Sequence, residues 1–136
     1  MRGMPKAINE IGPRYHGGDL MTSTEISPVD VAKRIRDLND AFRKTFVGGV
    51  ITLTEGVNAL GPEVKAEVLR RVREFDRFTA ESDPHGEHDF GSFEIGGQTF
   101  FWKCDYYDKT VTHGSKDPTD SEITTRVLTI MKAEEY

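Results

Sequence analysis

The sequence predicts an α+β fold in two layers, with an antiparallel sheet of about four strands and two helices on one face. Three patterns predict it: two segments with helical apolar spacing, a hairpin centred on two glycines, and a final β-branched segment. The order is helix, strand, helix and then a run of strands, without an internal repeat. We expect a single domain over residues 26–136 and a flexible tail over residues 1–25, which are rich in Gly, Pro and polar residues.

The first helix is predicted from Pro28 to about Phe46. Ser27 is a residue type that caps helix N-termini, and proline fits the first helical position because its missing N–H would have no helical partner there. Gly48-Gly49 ends the segment. Apolar residues form one stripe at steps of four, three and four, at Val31, Ile35, Leu38 and Phe42.

A strand and a second helix follow. Residues 50–54 are short, β-branched and preceded by glycines, which is typical of a strand. The second helix begins at Gly61-Pro62, and we expect its unit to end before Pro84. On a helical wheel its apolar side comprises Val64, Val68, Val72, Phe75 and Phe78, opposite a side rich in arginine.

Gly96-Gly97 predicts a two-residue hairpin turn, because both central positions of such a turn need positive φ. The turn sets Ile95 opposite Gln98 and Phe93 opposite Phe100. A last strand is predicted over residues 125–132. The hairpin face predicted to form the core wall contains Phe93, Ile95, Phe100, Trp102, Cys104 and Tyr106, and the opposite face contains Glu94, Thr99, Phe101, Lys103, Asp105 and Tyr107.

The net charge of −5 is unevenly distributed along the 136 residues. Residues 1–80 carry 13 Lys and Arg against 11 Asp and Glu, whereas residues 81–136 carry 5 against 12. The acidic half makes a nucleic acid an unfavourable partner and suits a basic protein surface, a metal ion, or simply a solvated surface. A single cysteine and the lack of a membrane-spanning or signal-like apolar run predict a cytoplasmic protein.

Two clusters of polar residues could carry chemistry. His88 and Asp89 could bind a divalent metal together with Asp105 or Asp108, since imidazole and carboxylate groups are ligands for zinc, manganese and iron. Alternatively, Asp105 and Asp108 with Asp117 and Asp120 could form a carboxylate cluster for acid–base or magnesium-assisted chemistry. Both sets also have a structural interpretation, because loop acids commonly bond the backbone of their own turns.

The aromatic residues Trp102, Tyr106 and Tyr107 could stack on nucleic-acid bases, but Trp102 and Tyr106 lie on the predicted core face. Cys104 shares that face and is interpreted as a small buried apolar residue. The candidate binding residues lie in the loop before the hairpin, on its outward face and in the loop after it: Glu87, His88, Asp89, Lys103, Asp105, Tyr107, Asp117 and Asp120.

Three segments carry a family resemblance: Glu-His-Asp-Phe-Gly at residues 87–91, Trp-Lys-Cys-Asp-Tyr-Tyr-Asp at 102–108, and Thr-Arg-Val-Leu-Thr-Ile-Met at 125–131. With them, residues 35–136 resemble a bacterial domain-of-unknown-function family, whose small proteins occur largely in alphaproteobacteria and often on mobile elements. The resemblance implies no established activity. The chain departs from the family pattern at His85, Cys104 and Lys132, which weakens a functional role for His85 and Cys104.

These observations favour a non-enzymatic protein-binding accessory factor of a mobile genetic element, without a cofactor, whose partner is a host or mobile-element protein with a basic surface. A role against host defence, as an anti-CRISPR or anti-restriction protein, is the more specific form of this hypothesis and follows by analogy. The alternative is a hydrolase of a nucleotide or nucleic acid that uses a divalent metal and His88, Asp89, Asp105 and Asp108. A small DNA-binding regulator ranks last because of the charge.

Overall fold

The computed structural model describes residues 27–136, so the predicted tail over residues 1–25 lies outside the described part of the chain. The described residues form an α+β fold, as predicted. In chain order the elements are α1 (Pro28–Thr45), β1 (Val50–Leu53), α2 (Glu55–Asn58), α3 (Pro62–Arg73), β2 (Phe90–Ile95), β3 (Gln98–Tyr107) and β4 (Thr125–Lys132), followed by a 3-10 helix at Ala133–Glu135.

The four strands form one mixed sheet in the order β1-β4-β3-β2. The predicted antiparallel pairing is found between β2 and β3 and between β3 and β4, but β1 runs parallel to β4. The helices between β1 and β2 form a crossover that carries the chain to the opposite edge of the sheet. After this crossover β2 runs in the same direction as β1. Two antiparallel connections then make β4 parallel to β1, and the expectation of a wholly antiparallel sheet was wrong at this edge.

The hairpin has the predicted register, with Phe93 paired to Phe100 and Ile95 to Gln98. Both turn residues have positive φ, 58° at Gly96 and 82° at Gly97. Glycine adopts this conformation without the clash that a Cβ atom would cause, and the turn therefore fixes the register of both strands.

All three helices contribute to one core on one face of the sheet. Trp102 lies at its centre with no exposed surface, as predicted, and the helix residues packed around this face are Ile35, Phe42, Val57, Val68 and Val72. α1 is capped by the Ser27 side chain, which accepts from the backbone N–H of Asp30. The short α2 was not predicted, because one turn is too short to display an apolar stripe.

α3 ends at Arg73, before the last two residues of its predicted apolar stripe, Phe75 and Phe78. The guanidinium of Arg43 caps this end, donating to the carbonyl oxygens of Val72 at 3.2 Å and Phe75 at 3.1 Å. Phe75 and Phe78 therefore reach the core from irregular backbone, and their rings pack edge-on against Trp102.

A carboxylate near the C-terminus ties the last turn to α2. Glu135 accepts from the Thr54 hydroxyl and from the Gly56 backbone N–H, each at 2.6 Å, at the N-terminal end of that helix. Within residues 27–136, none of the helices is both long and apolar enough to cross a membrane.

Candidate functional site

The loop over residues 83–89 brings the predicted site residues close to α1. Asp83 shapes this loop, since its carboxylate accepts from the backbone N–H of Glu87 at 3.0 Å and of His88 at 3.2 Å. His88 adopts a left-handed conformation with φ 52°. This backbone conformation is uncommon for residues other than glycine. The contacts around His88 therefore have to hold it there.

The His88 ring is held by two acids and one aromatic ring. Its Nδ1 donates to Asp40 at 2.9 Å, its Nε2 lies 3.8 Å from Asp83 Oδ2, and it stacks on Phe78 with ring centroids 3.7 Å apart. The side chains of His88 and Asp40 are 25% and 23% exposed, so this histidine–carboxylate pair is within reach of solvent. Such a pair could hold or pass a proton.

Asp105 or Asp108 was predicted to join His88 in a metal site, and the structure directs the His88 ring to Asp40 instead. The backbone pairing of β2 with β3 continues to Asp89, whose carbonyl oxygen accepts from Cys104 N at 2.9 Å. Backbone pairing therefore places the loop beside β3. It does not determine where the His88 ring points, because His88 has a positive φ and leaves the regular strand geometry.

A buried polar network lies directly behind the loop, centred on Asn39 of α1. The Asn39 amide donates to Glu87 O at 2.9 Å and to the Tyr106 hydroxyl at 2.8 Å, and its oxygen accepts from Arg126 Nε at 2.7 Å. The Tyr106 hydroxyl donates to Glu87 Oε1 at 2.8 Å, and Arg126 also donates to Pro118 O at 2.6 Å. The network ties α1 to the loop, to two strands and to the β3–β4 connection.

The hub of this network, Asn39, and the partners of His88, Asp40 and Asp83, were not among the predicted site residues. A signal for Asn39 was present, because it lies four residues after Ile35 and therefore on the apolar side of α1. A polar residue at such a position needs a buried partner.

Cys104 is buried and is not available as a nucleophile. Its thiol lies 3.6 Å from Asn39 Oδ1, and burial raises the pKa of this thiol far above its ordinary value of 9.0. The reactive thiolate is therefore strongly disfavoured. Burial likewise raises the pKa of Tyr106 well above 10.0, which keeps its hydroxyl protonated as a donor.

The outward face of the hairpin carries the predicted residues Lys103, Asp105 and Tyr107. Lys103 and Asp105 form a close ion pair, in which the Lys103 side chain is 20% exposed and that of Asp105 only 3%. Tyr107 is half-buried. These residues lie on the opposite face of the sheet from Tyr106 and Cys104, so they do not share one site with the buried network.

The acids of the β3–β4 connection stabilise their own turns. Asp108 accepts from the backbone N–H groups of Thr112 and Thr110 at 3.0 and 3.2 Å, and these bonds together with the Thr110 hydroxyl lower the pKa of Asp108 from 3.8 to about 2. Asp117 accepts from Thr119 N at 3.1 Å. Asp120 accepts in the same way, from Glu122 N at 2.9 Å.

The structure therefore separates the predicted metal ligands. His88 contacts Asp40, Asp105 contacts Lys103, and Asp108 contacts its own turn. Within residues 27–136, no three or more His, Cys, Asp or Glu side chains are grouped so that they could hold a metal ion.

Burial also changes the charge that the acidic half presents. Four of its acids are buried, with exposed fractions of 1% to 8%, namely Asp83, Glu87, Asp89 and Asp105. The acids that remain accessible lie mainly in the β3–β4 connection and at the C-terminal end.

A surface groove of about 370 Å³ lies between the C-terminal half of α3, the segment after it, and β2. Its walls carry three arginines and two acids together with one edge of β2. Residues there include Arg70, Arg71, Arg77, Phe75, Ser92 and Phe93. None of these residues was among the predicted binding residues, although the sequence predicts an arginine-rich side of α3.

A family model described as "Protein of unknown function (DUF3768)" matches residues 53–135. The comparison with curated proteins gave no match. The comparison with solved structures gave no match either.

Proposed function

This chain belongs to the DUF3768 family of proteins of unknown function, and on that premise we propose that it is a non-enzymatic protein-binding accessory factor of a mobile genetic element. One observation carries the proposal: apart from the His88–Asp40 pair, the polar side chains suited to chemistry are engaged in holding the fold together. Glu87 accepts from Tyr106, Asp83 accepts from two backbone N–H groups, and Cys104 is buried beside Asn39. We therefore infer that the protein acts through its surface.

The more specific part of the proposal concerns setting and partner. The mobile element, and a role against host defence such as CRISPR or restriction, rest on the family resemblance and on analogy. The accessible acids of the β3–β4 connection, including Asp117 and Glu122, favour a basic surface on the partner. A cytoplasmic location agrees with the single buried cysteine.

The test is affinity capture of a partner from a host lysate, combined with elemental analysis of the purified protein. We expect one partner in stoichiometric amount and no bound metal. The variant Glu122→Lys reverses one exposed charge of the acidic loop and should weaken capture. A stoichiometric divalent metal and no partner would contradict the proposal.

The alternative, a metal-dependent hydrolase acting on a nucleotide or nucleic acid, is favoured by one observation. Asp40 and His88 form a partly exposed pair that could serve as a general base. Under this alternative His88→Ala abolishes hydrolysis of a nucleotide substrate while the protein stays folded. Under the binding proposal, His88→Ala has no hydrolysis to abolish and only loosens the loop.

A further inference from the structure

Among residues 27–136, β2 is an edge strand, and the backbone groups of Ser92 face its outer side. Within residues 27–136, β2 pairs with β3 alone. Because Cys104 N bonds Asp89 O, the alternation of an antiparallel pair directs the backbone groups of Ser92 and Glu94 away from β3. This edge can therefore accept a further strand.

The groove described above runs along this same edge. Arg71 of α3 crosses it, donating to Glu94 O at 3.2 Å with its guanidinium 5.0 Å from the centre of the Phe93 ring. The Glu94 carbonyl is thus already engaged by a donor from the groove side, which agrees with the outward direction derived from the register. Ser92 lies two residues before Glu94 and so points to the same side of β2. It lines the groove and is exposed.

The charge of the groove differs from that of the whole chain. Arg70 is neutralised by Glu67 and Glu74, at 2.6 and 2.7 Å. Arg71 and Arg77 also line the groove, and neither forms an ion pair with a carboxylate within residues 27–136. The groove has three arginines against the acids Glu74 and Asp76, so its lining is net positive in a chain of net charge −5. Arg71 and Arg77 can therefore meet an incoming carboxylate.

We propose that the outer edge of β2 and this groove bind an extended acidic segment of a partner protein, which adds to the sheet as a fifth strand. Its backbone pairs with the N–H and C=O groups of Ser92, and its alternate side chains, being carboxylates, meet Arg71 and Arg77. This inference rests on the proposed protein-binding function. It adds an extended acidic segment of the partner, bound at β2, to the basic partner surface proposed to face the acids of the β3–β4 connection.

The test measures binding of fluorescent peptides to the full chain by anisotropy. One peptide alternates glutamate with valine, and its control carries lysine in place of glutamate. Ser92→Pro removes the outward N–H without touching the β2–β3 ladder, while Ser92→Ala keeps it. Arg77→Glu reverses the groove charge, and Arg34→Glu on the exposed side of α1 makes the same change elsewhere.

We expect the glutamate peptide to bind, and Ser92→Pro and Arg77→Glu each to weaken it by about tenfold or more. Ser92→Ala, Arg34→Glu and the wild-type chain should bind it alike, and the lysine peptide should not bind. Equal binding by a folded Ser92→Pro variant would overturn the inference. So would failure of the glutamate peptide to bind, or tighter binding of a single-stranded DNA oligonucleotide.

Capture from the host lysate separates this inference from the proposed function. If Ser92→Pro and Arg77→Glu capture the same partner as the wild type, the edge is not the docking surface, while protein binding itself stands. If the wild-type chain captures no partner and contains metal, the proposed function fails.

Discussion

Replacing Asn39 with alanine should remove a large part of the stability of the fold. Asn39 is 1% exposed, and its amide joins Glu87 O, the Tyr106 hydroxyl and Arg126 Nε. Alanine can replace none of these bonds. The Tyr106 hydroxyl keeps Glu87 Oε1 as an acceptor, but the Glu87 carbonyl loses the Asn39 donor and Arg126 Nε loses the Asn39 acceptor.

The size of the effect follows from these two groups. Removing one partner of a buried hydrogen bond costs about 1–3 kcal/mol, so the loss of these two bonds costs roughly 2–6 kcal/mol. Domains are generally stable by about 5–15 kcal/mol, and the variant is therefore expected to be marginally folded. The loop that carries His88 should loosen first, because Asn39 holds it through Glu87 O.

Urea unfolding followed by circular dichroism measures this change, with Arg34→Ala as the control on the exposed side of α1. The control should change the free energy of unfolding by no more than about 0.5 kcal/mol. A loss below about 1 kcal/mol for Asn39→Ala would refute the reasoning, since the network would then not hold the loop to α1.

Three further predictions concern the core, the hairpin and acid stability. Trp102→Ala should cost about 3–5 kcal/mol, because the side chain is fully buried, and unchanged thermal unfolding would contradict its central position. Gly91→Ala should cost about 1–3 kcal/mol, since an added Cβ would lie 2.6 Å from Trp102 Cε2 and 2.9 Å from Phe75 Cε2, and denaturant titration should show a lower midpoint. Asp108 has a lowered pKa, so its contribution is present above pH 3.8 and is lost as the pH falls towards about 2. Asp108→Asn should therefore unfold with a weaker pH dependence in that interval, and an unchanged dependence in thermal melts would count against this role.

Local sequence patterns determined much of the fold. Ser27 and Pro28 marked the start of α1, and the spacing of the apolar residues marked the face that it buries. Gly96-Gly97 fixed the register of β2 and β3 and hence the burial of Phe93, Phe100 and Trp102. These features are predictable because the steric preferences of neighbouring residues decide them.

Only the tertiary structure decided where separate elements meet. The parallel pairing of β1 with β4 depends on how the helices carry the chain across the sheet, and the early end of α3 depends on the Arg43 cap from another helix. The direction of the His88 ring towards Asp40 depends on the packing of its loop against α1.

The candidate site shows the same division. The sequence by itself identified the loop and its acids, but burial decided that Glu87 serves the Asn39 network and that Asp105 pairs with Lys103. The groove at β2 combines α3 with a strand about 20 residues further along the chain. Contacts over such separations are set by the balance of burial and chain entropy in the whole domain, which no local pattern contains.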